Sequence, residues 1–364
     1  MSRLEELRQR IRKLDEDILG LIAARMETAK AIGQEKKSSG IPLRDWDVER
    51  QVLDRAARQA AAFEAPPQVV RSVMQILINA ARVEQERTSF STYRGTAENI
   101  LIIGGRGKMG RWFADFFGNQ GHSVGVYDTR RGAADAETAE TLTAALEGTS
   151  FALIATPLEA VPRVIDALTE LRYGGIIFDI ASLKGHLKPA LARAREAELS
   201  VTSVHPMFGP GARTLSDQVI CVCDCGNNEA TQKVEAFFSD TAATLVRLSL
   251  DEHDRIVSYV LALSHLTNLV FTKVLMESGK SFDELNRVGS TTFHSQMKTT
   301  STVIQESPDL YYSIQRVNPY SRELCEAFKL SFEAITGWLG DGDREAFVEM
   351  MRAGRQWMLG DDAR

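Results

Sequence analysis

Apolar residues in the first ninety positions recur at spacings of three and four. Leu4, Leu7, Ile11, Leu14, Ile18 and Leu21 form a heptad seam, and the pattern runs on through Ile32. This spacing predicts a first helix of about 35 residues, ended by Gly40 and Pro42. A helix that long needs a partner along most of its length, and a second copy of itself is one candidate. A second helix is expected from about Trp46 to Phe63. The "APP" break at 65–67 places a proline at the start of a third, running to about Arg87. "STYRGTAE" (91–98) is polar and aperiodic and reads as a linker.

The pattern then changes. Between 99 and 247, short apolar runs alternate with helical stretches. The runs are "ILII" (100–103), "SVGVY" (123–127), "FALIA" (151–155), "GIIFDI" (175–180), "SVTSV" (200–204) and "VICVC" (219–223). Strands alternating with helices predict a mostly parallel sheet covered on both faces. From 248 onward the chain reads as helical. Its apolar stretch from Ile256 to Leu275 predicts a buried helix and a candidate dimer interface. The expected fold is multi-domain: all-α over 1–90, α/β over 99–247, and all-α over 248–364.

Composition narrows the partners. The chain has 364 residues, 44% hydrophobic and 25% charged, which allows two or three domains. A net charge of -6 gives no reason to expect nucleic acid as a partner. No apolar run approaches the roughly 20 residues that span a bilayer, so no membrane partner is expected. The charged start "MSRLEELRQR" lacks a signal-peptide core. A cytoplasmic protein is expected. Cys221, Cys223 and Cys225 in "CVCDC" lack the spacing of a zinc site, and no metal is predicted. On a strand, alternation would place these thiols on one face.

Candidate chemistry begins at "ILIIGGRGKMGRWFADFF", where Gly105-x-Gly107-x-x-Gly110 follows a strand and opens a helix. The glycines permit a tight turn and close backbone approach, and the helix N-terminus meets a pyrophosphate. Gly105, Gly107, Lys108, Met109 and Gly110 are therefore expected to bind a dinucleotide in a Rossmann domain. Asp128 ends the second strand, where a carboxylate grips the adenosine ribose. It favours NAD, because it repels a 2′-phosphate; Arg130 and Arg131 leave NADP open. Thr156, followed by Pro157, is placed to line the cofactor cleft.

His205 lies in "VTSVHPMFGP" (201–210), one of only six histidines. Alone, it could cap a turn. However, "HPMFGP", with "DIASLKG" (179–185) before it and "DEHD" (251–254) after it, resembles prephenate dehydrogenase. The first ninety residues resemble the all-helical chorismate mutases. Together they resemble the bifunctional chorismate mutase/prephenate dehydrogenase family of tyrosine biosynthesis, over essentially the whole chain.

The resemblance implies that His205 hydrogen-bonds the ring hydroxyl of prephenate and accepts its proton as hydride leaves for the nicotinamide. It implies that Ser182 and Lys184 hold the substrate hydroxyl, the cofactor or the histidine. His265 matches a histidine near the substrate, although its apolar helix fits a core residue equally. His253 is read as a helix-start residue. One departure stands out. An arginine usual in the family near Thr302 is missing from "HSQMKTTSTV", with Lys298 and Arg316 as nearby cations. This leaves open a dehydrogenase of arogenate or an amino-substituted prephenate, the N-terminal helices serving mainly for dimerisation.

The mutase reaction is pericyclic and needs a folded dianion held by cations, with donors at the ether oxygen. The first helix carries Arg8, Arg25 and Lys36. Arg25 and Lys36 are about three turns apart and share a face. Arg25 falls on the apolar seam, so an anionic partner is expected. Arg8 lies some 40 Å from Lys36 at about 1.5 Å per residue. A second, antiparallel copy would bring its Arg8 to this pair, which predicts an intertwined homodimer. By resemblance, Asp45 and Glu49 also serve the site. Glu49 would bind the substrate hydroxyl, and Gln85 with Lys36 the ether oxygen. Ala81 stands where the family has a serine.

Overall fold

Helix α1 (Arg3–Ser39) is 37 residues long, as the seam predicts. Helices α2 (Trp46–Ala62) and α3 (Pro67–Ser89) follow, with Pro67 at the first helical position, where its missing N–H costs nothing. The computed structural model describes residues 2–39, 46–89, 93, 95–129 and 142–359. Asp45, Arg130 and Arg131 lie outside them. The chain divides into two compact units, Met1–Leu250 and Asp251–Arg364.

In the first unit α3 packs against both α1 and α2. Small side chains line the contact: Ala29, Ala56, Ala60 and Ala81 are buried, with Ile78 among them. Only the distal part of α1 takes part. Leu4, Leu7, Ile11, Leu14, Ile18 and Leu21 are all exposed, Leu21 by 71%. More than half the heptad seam meets nothing among the described residues.

The α/β part is a seven-stranded sheet. Its strands are β1 (Asn99–Ile103), β2 (Ser123–Tyr127), β3 (Phe151–Ile154), β4 (Ile176–Asp179), β5 (Ser200–Pro206), β6 (Val219–Cys223) and β7 (Thr244–Leu248), in the order β2-β1-β3-β4-β5-β6-β7. Only the β5–β6 pairing is antiparallel. All six expected strands are present. The seventh, "TLVRL", was not expected, because it is a half-exposed edge strand without a continuous apolar run. Its Arg247 points outward to Glu235. Helix α4 (Lys108–Asn119) crosses from β1 to β2; α5 (Leu142–Leu146), α6 (Val161–Glu170) and α7 (Lys188–Glu196) follow, and α8 (Asn228–Ser239) crosses from β6 to β7. Ile100, Ile102, Leu153, Phe178 and Val222 of the sheet pack with Phe113, Phe116 and Phe117 of α4 and Phe237 and Phe238 of α8. Each such side chain, fully buried, contributes about 1.5–3 kcal/mol. Cys221 and Cys223 share one face of β6, and Cys225 follows just past it. All three are buried free thiols, and burial pushes the Cys221 and Cys225 thiols upward.

The second unit is helical. Helix α9 (Leu250–Val257) passes through one π turn (Ser258–Leu263) into α10 (Ser264–Glu277). Helices α11 (Phe282–Arg287), α12 (Thr291–Ile304), α13 (Pro308–Val317), α14 (Ser321–Asp341) and α15 (Arg344–Leu359) complete it. The expectation that 256–275 is buried is corrected. Ile256, Tyr259, Val260, Val270 and Val274 are all exposed. Its small core gathers round Ala262, Ile314 and Leu324. By length and composition Leu250–Glu277 could cross a membrane, its apolar window having a mean hydropathy of 1.3. Its buried face is nevertheless polar at Ser258, His265 and Asn268. Asn268 Oδ1 accepts hydrogen bonds from Gln296 (2.9 Å) and Thr300 (2.7 Å) of α12.

Candidate active site

Strand β1 neighbours β2 on one side and β3 on the other, so the connections from β1 diverge. The cleft at the carboxyl ends of β1 and β3 is where an open α/β sheet binds ligands. The β1–α4 turn is fitted to close backbone approach. Gly104, one residue before the expected motif, has φ of 87°, and the motif alone did not single it out. A Cβ on Gly110 would lie 2.6 Å from the Gly104 carbonyl oxygen, so only glycine lets α4 start here. Gly107 caps α4 without a side-chain hydrogen bond. Lys108 and Met109 form its first turn, the Lys108 side chain exposed and Met109 packed against the core. Gly105 is buried, and a Cβ there would meet Val126 of β2 at 2.6 Å. The Asp128 carboxylate is buried beside this turn and accepts from the Arg106 amide at 3.1 Å. Thr156 follows β3, and its hydroxyl is buried with no partner among the described residues. A glycine cradle, an uncapped helix N-terminus, a carboxylate and an unsatisfied hydroxyl together fit a dinucleotide.

His205 stands at the end of β5, 5% exposed, opposite Cys221 of β6. Parallel pairing from β1 through β3 and β4 to β5 puts this end on the same side of the sheet as the glycine turn. Beneath it lies a buried ion pair. Lys184 donates to Asp179 Oδ1 at 2.8 Å and to the Val204 carbonyl at 2.8 Å, and Ser203 donates to Asp179 Oδ2 at 2.5 Å. Lys184 is therefore not an open loop lysine; it is wholly buried. Ser182 is half-buried on the same turn.

In the helical part, α1 and α3 cross so closely that a Cβ on Gly33 would meet the Gln85 side chain at 2.8 Å. Gln85 donates to the Ala29 carbonyl at 2.9 Å, and Arg25 to the Leu77 carbonyl at 2.8 Å. That backbone oxygen accepts from one of the five N–H donors of the Arg25 guanidinium. Lys36 lies half-buried three turns further along α1, and Arg8 is exposed near the far end of that helix. Arg25, Lys36 and Gln85 thus share one stretch of the α1–α3 crossing, and Arg8 of the same chain does not join them. Glu49 opens α2 and pairs with Arg82 of α3 at 3.3 Å. Arg82 was missed: its ionic partners are 33 and 135 residues away, and no local pattern links them.

In the second unit His265 stacks on Tyr311 with ring centroids 4.0 Å apart, and burial lowers its pKa to about 4. His253 is buried in the first turns of α9 with Nδ1 2.8 Å from Asp254 Oδ1. Lys298 and Arg316 are exposed on α12 and α13.

Three family models match the chain in sequence order. Chorismate mutase type II covers 7–86, the nucleotide-binding domain of prephenate dehydrogenase 119–247, and the prephenate dehydrogenase dimerization domain 249–353. A T-protein of Enterobacter agglomerans is 28% identical over 364 residues, spanning 100% of this chain and 95% of the relative. A T-protein of Haemophilus influenzae is 23% identical over 98% of this chain and 93% of its own. Among solved structures, prephenate dehydrogenase from A. aeolicus, in complex with hydroxyphenyl propionate and NAD+, aligns with a TM-score of 0.58. That alignment has 15% identity and covers 72% of this chain and 97% of the other, a likeness of fold. The helical domain, the glycine-turn sheet and the C-terminal helices are thus one arrangement, and the chain belongs to the bifunctional chorismate mutase/prephenate dehydrogenases, the T-protein type.

Proposed function

We propose that the chain rearranges chorismate to prephenate in its helical domain and then converts prephenate to 4-hydroxyphenylpyruvate with NAD. The observation that carries the dehydrogenase half is His205, buried at the end of β5 on the side of the sheet that also bears the Gly104–Gly110 turn, Asp128 and Thr156.

Bound NAD supplies the hydride acceptor. The amides at the start of α4 would hold its pyrophosphate and Asp128 its ribose, and Thr156 would offer its otherwise unsatisfied hydroxyl. His205 accepts the proton of the ring hydroxyl as the C–H bond on the same carbon breaks. The ring carboxylate leaves as carbon dioxide; its bonding pair aromatises the ring and moves the carbonyl pair onto oxygen, and that oxygen takes its proton back from His205. Lys184 acts from below: clamped to Asp179 and to the Val204 carbonyl, it fixes the strand one residue before the histidine.

In the mutase half the residues bind and orient, since the rearrangement needs no proton transfer. Arg25 and Lys36 hold the carboxylates, Gln85 and Lys36 the ether oxygen, and Glu49 the substrate hydroxyl. One hydrogen of the Gln85 amide nitrogen is already donated to the Ala29 carbonyl. The site takes Arg8 from a second chain, whose α1 covers the exposed seam. The dimer extends to the second unit. The match of 249–353 to the prephenate dehydrogenase dimerization domain supports this. Three buried free thiols suit a reducing, cytoplasmic location.

The test is direct. Purified protein is incubated with chorismate and NAD, and NADH and 4-hydroxyphenylpyruvate are followed together. Appearance of both from chorismate supports the reading. NADH formation only when arogenate replaces prephenate would reassign the dehydrogenase substrate, and no consumption of chorismate would remove the mutase.

A further inference from the structure

Arg82 is 8% exposed, yet it serves two carboxylates from different parts of the chain. Its Nη1 donates to both oxygens of Glu49, each at 3.3 Å, and its Nη2 to Asn79 Oδ1 at 2.9 Å and to Asp217. Glu49 opens the second mutase helix. Asp217 lies near the end of the loop 207–218, which begins directly after His205 and Pro206 and returns the chain to β6. That loop is also tied to the cofactor-binding helix, since Trp112 of α4 donates to the Ala212 carbonyl at 2.7 Å. Asp217 holds φ of 63°, a conformation that non-glycine residues adopt at a cost and that a fixed side chain helps to maintain.

We infer that Arg82 is a positioning residue shared by the two active sites, and that Asp217 of the dehydrogenase loop sets, through Arg82, the carboxylate with which Glu49 binds chorismate. A guanidinium is a rigid fork. Its two η nitrogens cannot be reoriented separately, so the anchor at Asp217 fixes the direction in which Nη1 meets Glu49. Burial makes the arrangement consequential, because a shared buried cation cannot replace a lost carboxylate with solvent at little cost. Glu49 and Asp217 therefore communicate through one planar group. The inference rests on the mutase reading of Glu49.

The test substitutes the residue outside the mutase domain. Asp217 is half exposed as a side chain, and Asn tolerates its backbone conformation, so Asp217→Asn is a mild change. Steady-state kinetics of chorismate consumption are measured on the full-length wild type, Asp217→Asn and Asp217→Glu, with the thermal midpoint of each. Asp217→Asn is expected to raise the chorismate KM by roughly tenfold while kcat stays within about twofold, as when a binding contact common to ground and transition states weakens. Asp217→Glu, which keeps the carboxylate, should recover most of the affinity. An unchanged KM in Asp217→Asn overturns the inference. So does an equal rise in both variants, which would assign the effect to loop packing. A wild type that consumes no chorismate defeats the mutase reading itself, and is seen before any variant is compared.

Discussion

Ile18 of α1 and Ile102 of β1 are the same side chain in opposite circumstances. Ile102 is wholly buried between helices that its own chain supplies; Ile18 is 53% exposed on a seam that its own chain leaves bare. The sheet closes its hydrophobic accounts within 150 residues, because βα crossovers return a helix to each face. The long helix has no such return, since α2 and α3 reach only its distal part. One region is a finished object and the other is half of an interface. The chemistry divides the same way: His205, Asp128 and the glycine turn stand together in one chain, whereas Arg8 and Lys36 belong to one site only if two chains build it.

The sharpest tests exploit that division. His205→Asn should lower dehydrogenase turnover by roughly 10²–10⁴-fold, the scale of a lost general base, with chorismate consumption little changed. Near-normal NADH production would remove His205 from the mechanism. For the helical half, Arg8→Ala and Lys36→Ala should each abolish mutase activity. Mixing the two under subunit exchange should restore it, since one site of each heterodimer carries both defects and the other neither. Absence of complementation, with heterodimers demonstrated, would place the site within one chain.

Packing offers a third contrast. Phe237→Ala opens a cavity in the sheet core and should cost about 3–5 kcal/mol, measured by urea unfolding. Ile18→Ala should change stability little in dilute protein and measurably at concentrations where chains associate. Equal effects at all concentrations would mean that α1 has no partner.

The second unit supplies a pH test. Unfolded, His265 takes its proton near 6.5; folded, burial delays this to about 4. Between these values the unfolded chain binds the extra proton. This histidine therefore withdraws stability as pH falls from about 6.5 to 4, by at most about 3 kcal/mol, and adds no slope above. His265→Gln should flatten the pH dependence of the thermal midpoint over that range; an unchanged slope would show that the imidazole titrates normally. The smallest expected effect is on cofactor choice. Asp128→Ser should reduce the preference for NAD over NADP by about tenfold, one hydrogen-bonded ribose contact. A wild type that prefers NADP would contradict the reading of Asp128.

Local pattern carried most of this to the surface of the sequence. The heptad spacing located α1 to within a few residues, and six apolar runs located six strands. The glycine motif located the cofactor turn but for Gly104, whose positive φ is a property of the folded backbone. What pattern could not carry were contacts between distant segments. Lys184 was tied to the site by resemblance alone; its burial emerges only in the fold, where pairing of β4 and β5 brings the Val204 carbonyl beside it. Arg82 had no signal at all, being defined by carboxylates on two other elements. The 256–275 stretch was misread as buried because apolar sequence reports a need for cover and does not say which chain provides it.

The cysteines in and just after β6 turn this last distinction into a clock. Cys221, Cys223 and Cys225 are sealed in the sheet, whereas Cys325 is exposed on α14. A thiol reagent added to the native protein therefore meets one sulfur at once and the other three only when the sheet opens. The slow phase counts openings of the dehydrogenase core, on a protein that needs no added label. Run with and without NAD, the same reaction reads out how firmly a nucleotide locks the sheet shut.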